Sequence, residues 1–102
     1  MKSPAECSTI EEVRAVIDTL DREIVDLLGR RFQYVQAITR FKKTADDVRA
    51  PDRRAAVIAA RRAWAVEAGL DPDVVERMYT LLIDHFVAVE LQTLGLAERS
   101  SS

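Results

Sequence analysis

Residues 10–41 read IEEVRAVIDTLDREIVDLLGRRFQYVQAITRF. Laid out in sevens, positions 10, 17, 24, 31 and 38 are Ile10, Ile17, Ile24, Arg31 and Ile38, and positions 13, 20, 27, 34 and 41 are Val13, Leu20, Leu27, Tyr34 and Phe41. Nine of these ten are apolar or aromatic, the spacing that lines one stripe of a helix. Gly29 is the one weak helix former inside it, at a cost of ~1 kcal/mol against Ala. Thr9-Ile10-Glu11-Glu12 forms a capping box at the start, with the Thr9 hydroxyl accepting from the third helical amide and Glu12 reaching back. The pattern predicts a first helix that frays only after Lys43, about 36 residues and ~54 Å long. A compact domain of about 100 residues has a radius of gyration of only ~13 Å, so such a helix overshoots a monomeric globule. Its surplus stripe is expected to be covered by a second copy of the chain, in an obligate, intertwined helical homodimer.

The remainder divides into two more helices. Residues 44–50 read as a short polar loop, with Thr44, Asp46 and Asp47 in place of apolar anchors, able to close over a ligand. Pro51 suits the first turn of a second helix running to Ala68, and Gly69 suits the left-handed cap that ends it. Asp71-Pro72 repeats the start signal for a third helix. That helix carries Val75, Tyr79, Leu82, Ile83, Phe86, Val89 and Leu94 on one broad face and ends near Gly95. The fold class expected is all-α with three helices, a single domain over 1–98 and a disordered Ser-rich tail over 99–102.

Composition agrees. Hydrophobic residues make up 48% and charged residues 31%, the balance of a folded chain. Three Gly and three Pro are too few for an all-β chain with frequent turns. The net charge of −2 offers no basic field for nucleic acid. A single Cys, Cys7, and a single His, His85, exclude a disulfide framework and a Cys/His metal cluster. The longest apolar run, residues 55–60, falls far short of the ~20 residues of a membrane span. The N-terminal stretch lacks the apolar core of a signal peptide. The expected setting is cytoplasmic, with no membrane partner.

Four basic residues and one acid stand in unexpected places. Arg31 is the single charge in the apolar rows, and taken alone it reads as an Arg whose stem packs while its head reaches solvent. Lys42 lies eleven residues on, three helical turns, and in a continuous helix returns to nearly the same face ~16 Å away. The two side chains then leave room for a small dianion between their tips. Arg53 sits in the first turn of the second helix, where the macrodipole favours acids over cations. Arg14 is seventeen residues from Arg31, ~25 Å along the axis, and could share a small ligand with it only from a partner subunit. Glu90 has Ile83, Phe86, Val87, Leu91 and Leu94 as its helical neighbours, which makes it either a helix-pairing contact or a buried acid. His85, beside Asp84, reads as a rim residue, and Cys7 as packing, with no basic cluster near it to activate a thiolate.

In their order and spacing these residues resemble the all-helical chorismate mutase family. The resemblance rests on Arg14, on Gly29-Arg30-Arg31 and Arg40-Phe41-Lys42, and on Ala50-Pro51-Asp52-Arg53 at the start of the second helix. Within that family the start, with Met1-Lys2, Pro4 and Cys7, and the segment with Trp64-Ala65, Glu67 and Gly69-Leu70-Asp71 are most similar to the isochorismate-pyruvate lyases of salicylate and siderophore biosynthesis. The resemblance implies an interlocked dimer with two equivalent sites. It implies that Arg31, Lys42 and Arg53 bind the carboxylates and ether oxygen of a dicarboxylate, isochorismate or chorismate, while Arg14 enters from the other subunit. It places Glu90 where the family usually has a Gln that hydrogen-bonds the ether oxygen, with Glu in some of its mutases, so the chain departs from the lyase pattern there.

The reactions so implied are pericyclic: chorismate rearranges to prephenate, or isochorismate passes a hydrogen to its enolpyruvyl carbon and releases salicylate and pyruvate. Such chemistry needs a compact conformer and cations at the departing ether oxygen, with no nucleophile, and the resemblance implies no cofactor. The family's mutases hold the 4-hydroxyl of chorismate with a carboxylate one position after the arginine that opens the second helix, and its lyases carry an aliphatic residue there. Here that residue is Arg54, which matches neither. The terminal and second-helix similarities favour the lyase, with the mutase, an amino-substituted chorismate as substrate, and a non-catalytic helical dimerisation module as alternatives.

Overall fold

A computed structural model of the chain describes residues 1–96. The expected domain end at 98 and tail over 99–102 lie outside the described residues. Three long helices are present, α1 (Ile10–Ile38), α3 (Pro51–Glu67) and α4 (Pro72–Thr93), with a five-residue helix α2 (Ala45–Arg49) between the first two. No strand occurs among the described residues. The chain forms two compact units, one from Met1 to Tyr34 and one from Val35 onward.

The first unit is a single 3-10 turn, Pro4–Glu6, followed by most of α1. The cap at Thr9 forms as expected on one side, the Glu12 amide donating to Thr9 Oγ1 at 3.1 Å. The reciprocal bond is displaced by one residue, since Glu12 Oε2 accepts from the Ser8 amide at 2.8 Å and from Lys2 Nζ at 3.0 Å. α1 has no buried residue along its length. Ile10, Val13, Ile17, Leu20, Ile24 and Leu27 are all exposed, from 40% at Val13 to 57% at Leu27.

α1 is 29 residues long, not the longer helix the heptad rows predict. It gives way at Ile38 to a 3-10 turn, Thr39–Phe41, and Lys42 is extended, with φ −104° and ψ 135°. Phe41 therefore continues the apolar spacing without continuing the helix. The predicted polar loop over 44–50 is also corrected: Thr44 caps α2 by accepting from the Asp47 amide at 3.0 Å. It has an apolar anchor as well, because Val48 is 3% exposed. Ala50 both ends α2 and begins α3 in a left-handed conformation, φ 37°.

The second helix and third long helix keep their predicted limits within a residue or two. Gly69, at φ 77°, supplies the left-handed residue that lets the chain reverse. Asp71 Oδ1 accepts from the Asp73 amide at 2.8 Å as the cap of α4. α3 and α4 pack against each other as an antiparallel hairpin, and α2 packs on α4. Arg62 bridges to Asp73 at 2.9 Å and Glu76 at 3.1 Å near the turn, and Arg54 reaches Asp84 at 2.6 Å farther from it. The Arg61 guanidinium lies 4.5 Å from the Trp64 ring centroid and 5.6 Å from that of Tyr79. The buried apolar residues are Val48, Val57, Ala65 and Leu91. The predicted face of α4, from Val75 to Leu94, is half-buried, while Val74, Met78 and Leu81 on another side are exposed. No described helix is long and apolar enough to cross a membrane.

Candidate functional site

The second unit brings together two residues that stand 48 positions apart in the chain, Lys42 and Glu90. Lys42 Nζ donates to Glu90 Oε2 at 2.9 Å, with the two side chains 19% and 6% exposed. Glu90 is the buried acid its apolar neighbours suggest, and its partner is a cation from a different element. Thr39 joins them: its Oγ1 lies 3.3 Å from the same oxygen, Glu90 Oε2, and 3.2 Å from the Val35 carbonyl.

Local backbone structure delivers Lys42 to this place. The Lys42 amide donates to the Thr39 carbonyl at 3.2 Å, which closes the 3-10 turn. Immediately after it, Asp47 Oδ2 accepts from the amides of Lys43 at 2.9 Å and Thr44 at 3.0 Å. Those two amides, together with the Thr44 hydroxyl and the nearby charge of Lys42, hold the Asp47 carboxyl below the usual carboxylate range. Lys42 thus sits between a turn that ends α1 and a cap that starts α2. Because α1 ends at Ile38 and Lys42 is extended, the eleven-residue helical spacing that was counted from Arg31 does not run through to Lys42.

The other expected site residues fall as follows. Arg53 is in the first turn of α3, as predicted, with Asp52 beside it, and its side chain is exposed. Arg54 is half-buried and engaged by Asp84. Arg14 and Arg31 lie on the α1 portion of the first unit, Arg14 exposed and Arg31 half-buried. Seventeen residues of continuous helix keep them ~25 Å apart, as the sequence requires. His85 is exposed, its ring 5.3 Å from that of Phe86, and Cys7 is a half-buried free thiol.

Thr39 is absent from the sequence reading. It lies three residues before Lys42, but its relation to Glu90 spans 51 positions and leaves no periodic trace. The Arg54–Asp84 bridge is invisible in the same way, since it needs the register of the α3–α4 hairpin. Chemically, the Lys42–Glu90–Thr39 group places one cation and one carboxyl, with its orientation held, in a water-poor setting. Charge developing on a ligand oxygen is stabilised most strongly in such a setting.

Comparison with known proteins bears on this arrangement. Residues 13–91 match the chorismate mutase type II family. The chain is 40% identical over 101 residues to the isochorismate pyruvate lyase of Pseudomonas aeruginosa, covering 95% of this chain and all of that protein. It is 34% identical over 68 residues to the T-protein of Haemophilus influenzae, covering 66% of this chain and 18% of that protein. It is 32% identical over 65 residues to the T-protein of Enterobacter agglomerans, covering 63% and 17%. With more than half its length matched and a relative aligned from end to end, this all-helical chain belongs to the chorismate mutase type II family.

Proposed function

We propose that this protein is an isochorismate-pyruvate lyase. It takes up isochorismate as a dianion and releases salicylate and pyruvate. The observation that carries this reading is the 40% identity to an isochorismate pyruvate lyase along that protein's whole length. The Lys42–Glu90 pair supports it by supplying a cation and a hydrogen-bonding group together.

In the proposed reaction the bond between the ring carbon and the ether oxygen breaks. The hydrogen on the adjacent ring carbon passes to the methylene of the enolpyruvyl group, and the ring becomes aromatic. Negative charge grows on the ether oxygen as it leaves. Lys42 offsets that charge, and Arg31 and Arg53 hold the two carboxylates so that the enolpyruvyl group lies over the ring. Glu90, in its protonated form, donates to the ether oxygen, which can only accept. Arg14 completes the site from the second subunit.

The dimer in this proposal is an obligate one. Six exposed apolar side chains along α1 support it, since a stripe of that size is a poor surface to leave in water. Arg54, bound to Asp84 at 2.6 Å, is neither the carboxylate of the mutases nor the aliphatic residue of the lyases, and the end-to-end identity is what favours the lyase. The second reading, chorismate converted to prephenate, uses the same charges on the same dianionic scaffold. Separate incubation with isochorismate and with chorismate tests both. Salicylate with pyruvate supports the lyase, prephenate alone supports the mutase, and no product from either supports a helical dimerisation module.

A further inference from the structure

Two hydrogen bonds among the described residues meet on one oxygen of the Glu90 carboxyl, Oε2: Lys42 Nζ at 2.9 Å and Thr39 Oγ1 at 3.3 Å. Such an arrangement has a preferred protonation geometry. In a protonated carboxyl the carbonyl oxygen is the stronger acceptor, and an ammonium is acceptor-seeking because it has only donors. In the protonated form that the proposed role of Glu90 requires, two donors converging on Oε2 make it the carbonyl oxygen and leave Oε1 as the oxygen that holds the proton. The Thr39 hydroxyl has a single proton, shared between Glu90 Oε2 and the Val35 carbonyl at 3.2 Å. The 3-10 turn that begins at Thr39 holds that hydroxyl within reach of both acceptors.

We infer that Thr39 is a positioning residue: its hydroxyl, with Lys42, fixes the orientation of the Glu90 carboxyl so that Oε1 is the oxygen presented to the substrate. This rests on the proposed role of Glu90 and extends it to a residue with no contact of its own with the substrate. The arrangement makes a glutamic acid behave like a glutamine at this position. An amide would accept from Lys42 and Thr39 through its carbonyl and donate through its nitrogen. A carboxyl has two chemically equal oxygens and needs outside donors to break the tie. Lys42 supplies one, but it is also drawn toward the ether oxygen during the reaction. Thr39, held by the backbone, keeps the orientation while Lys42 is shared.

The test uses Thr39→Val, which keeps the shape and removes the hydroxyl, and Thr39→Ser, which restores it. Thr39→Ala serves where Thr39→Val does not fold. With isochorismate and chorismate as probes, Thr39→Val is expected to lower kcat/KM about tenfold through kcat, and Thr39→Ser to recover it to within about twofold. A second readout needs no substrate: the 15N-edited NMR signal of the Lys42 ammonium. With the carboxyl fixed, its protons are protected from exchange. Thr39→Val should broaden that signal and Thr39→Ser should keep it. An ammonium signal unaffected by Thr39→Val overturns the inference, as does a Thr39→Ser protein no more active than Thr39→Val. If the parent converts neither substrate, the proposed function falls, and the ammonium signal alone decides whether Thr39 positions Glu90.

Discussion

Replacing Lys42 by Met and Glu90 by Leu, singly and together, measures how strongly the site is tied into the fold. The pair is 2.9 Å apart, with the side chains 19% and 6% exposed. A charge-assisted hydrogen bond contributes about 1.5–3 kcal/mol net, and removing one member of a buried pair costs ~3–5 kcal/mol because the other is left uncompensated. The two members are not equally placed. Lys42→Met strands a carboxylate with almost no access to water, so about 3 kcal/mol is expected. Glu90→Leu strands an ammonium on a long stem that still reaches solvent, so the loss is smaller, ~2 kcal/mol. The double variant has no orphaned charge and regains apolar contact, and should lose no more than ~2 kcal/mol, a coupling of about 3 kcal/mol. Urea unfolding at one fixed chain concentration is the assay, since association itself alters the midpoint. A double variant destabilised by the sum of the singles, ~5 kcal/mol, would refute the argument that the ion pair and not generic packing holds these residues.

Glu90→Gln should keep kcat/KM within about tenfold of the parent, because an amide nitrogen can also donate to the ether oxygen. A folded, dimeric Glu90→Gln protein without activity would make Glu90 a partner for Lys42 alone. Arg14→Ala and Arg31→Ala should each lower kcat/KM by several orders of magnitude, and mixing the two inactive proteins should restore one working site per heterodimer. Failure of that complementation, with subunit exchange shown by mass, excludes a shared site. Ala50→Gly should raise stability by about 0.5–1 kcal/mol, since the left-handed conformation at φ 37° costs alanine more than glycine; a lower urea midpoint contradicts this. Acidification should fray α2 before the long helices. The Asp47 carboxyl, held low first by the Lys43 amide, adds stability above the ordinary aspartate pKa, and that contribution is lost as pH falls through its depressed folded value. Unchanged amide exchange at Lys43 and Thr44 down to about pH 3 would speak against the cap.

The limits of α3 and α4 were legible because their signals are local. Pro51 and Asp71-Pro72 at the starts and Gly69 at the reversal act through the backbone of the residues beside them. The apolar stripe of α1 was legible for a related reason: helical period is a property of nearest turns. Its exposure in the single chain follows directly from that stripe having no intrachain cover in the first unit. The end of α1 was misread because Phe41 prolongs the seven-residue spacing after the helix has tightened into a 3-10 turn. Periodicity reports side-chain type and is blind to where hydrogen bonding changes register. Val48 was missed for the opposite reason, since one apolar residue among Asp46, Asp47 and Arg49 forms no period, and its burial depends on α2 packing against α4.

For the site, the residues out of place are legible without any fold: Arg31 in an apolar row, Arg53 at a helix start and Glu90 among apolar neighbours. Each is an anomaly against its own helix, and a helix is described by its sequence. What Glu90 pairs with is settled only by the tertiary fold. Whether a buried acid has a partner depends on what crosses it, and here the partners arrive from 48 and 51 residues away, on an extended Lys42 and a turn-borne Thr39. Arg54 shows the same division. The sequence marked it as departing from both branches of the family, but only the antiparallel register of α3 and α4 sets it against Asp84. Local conformation is governed by neighbours in the chain. The pairing of charges in a low-dielectric interior is governed by neighbours in space, which for this protein are separated by half its length.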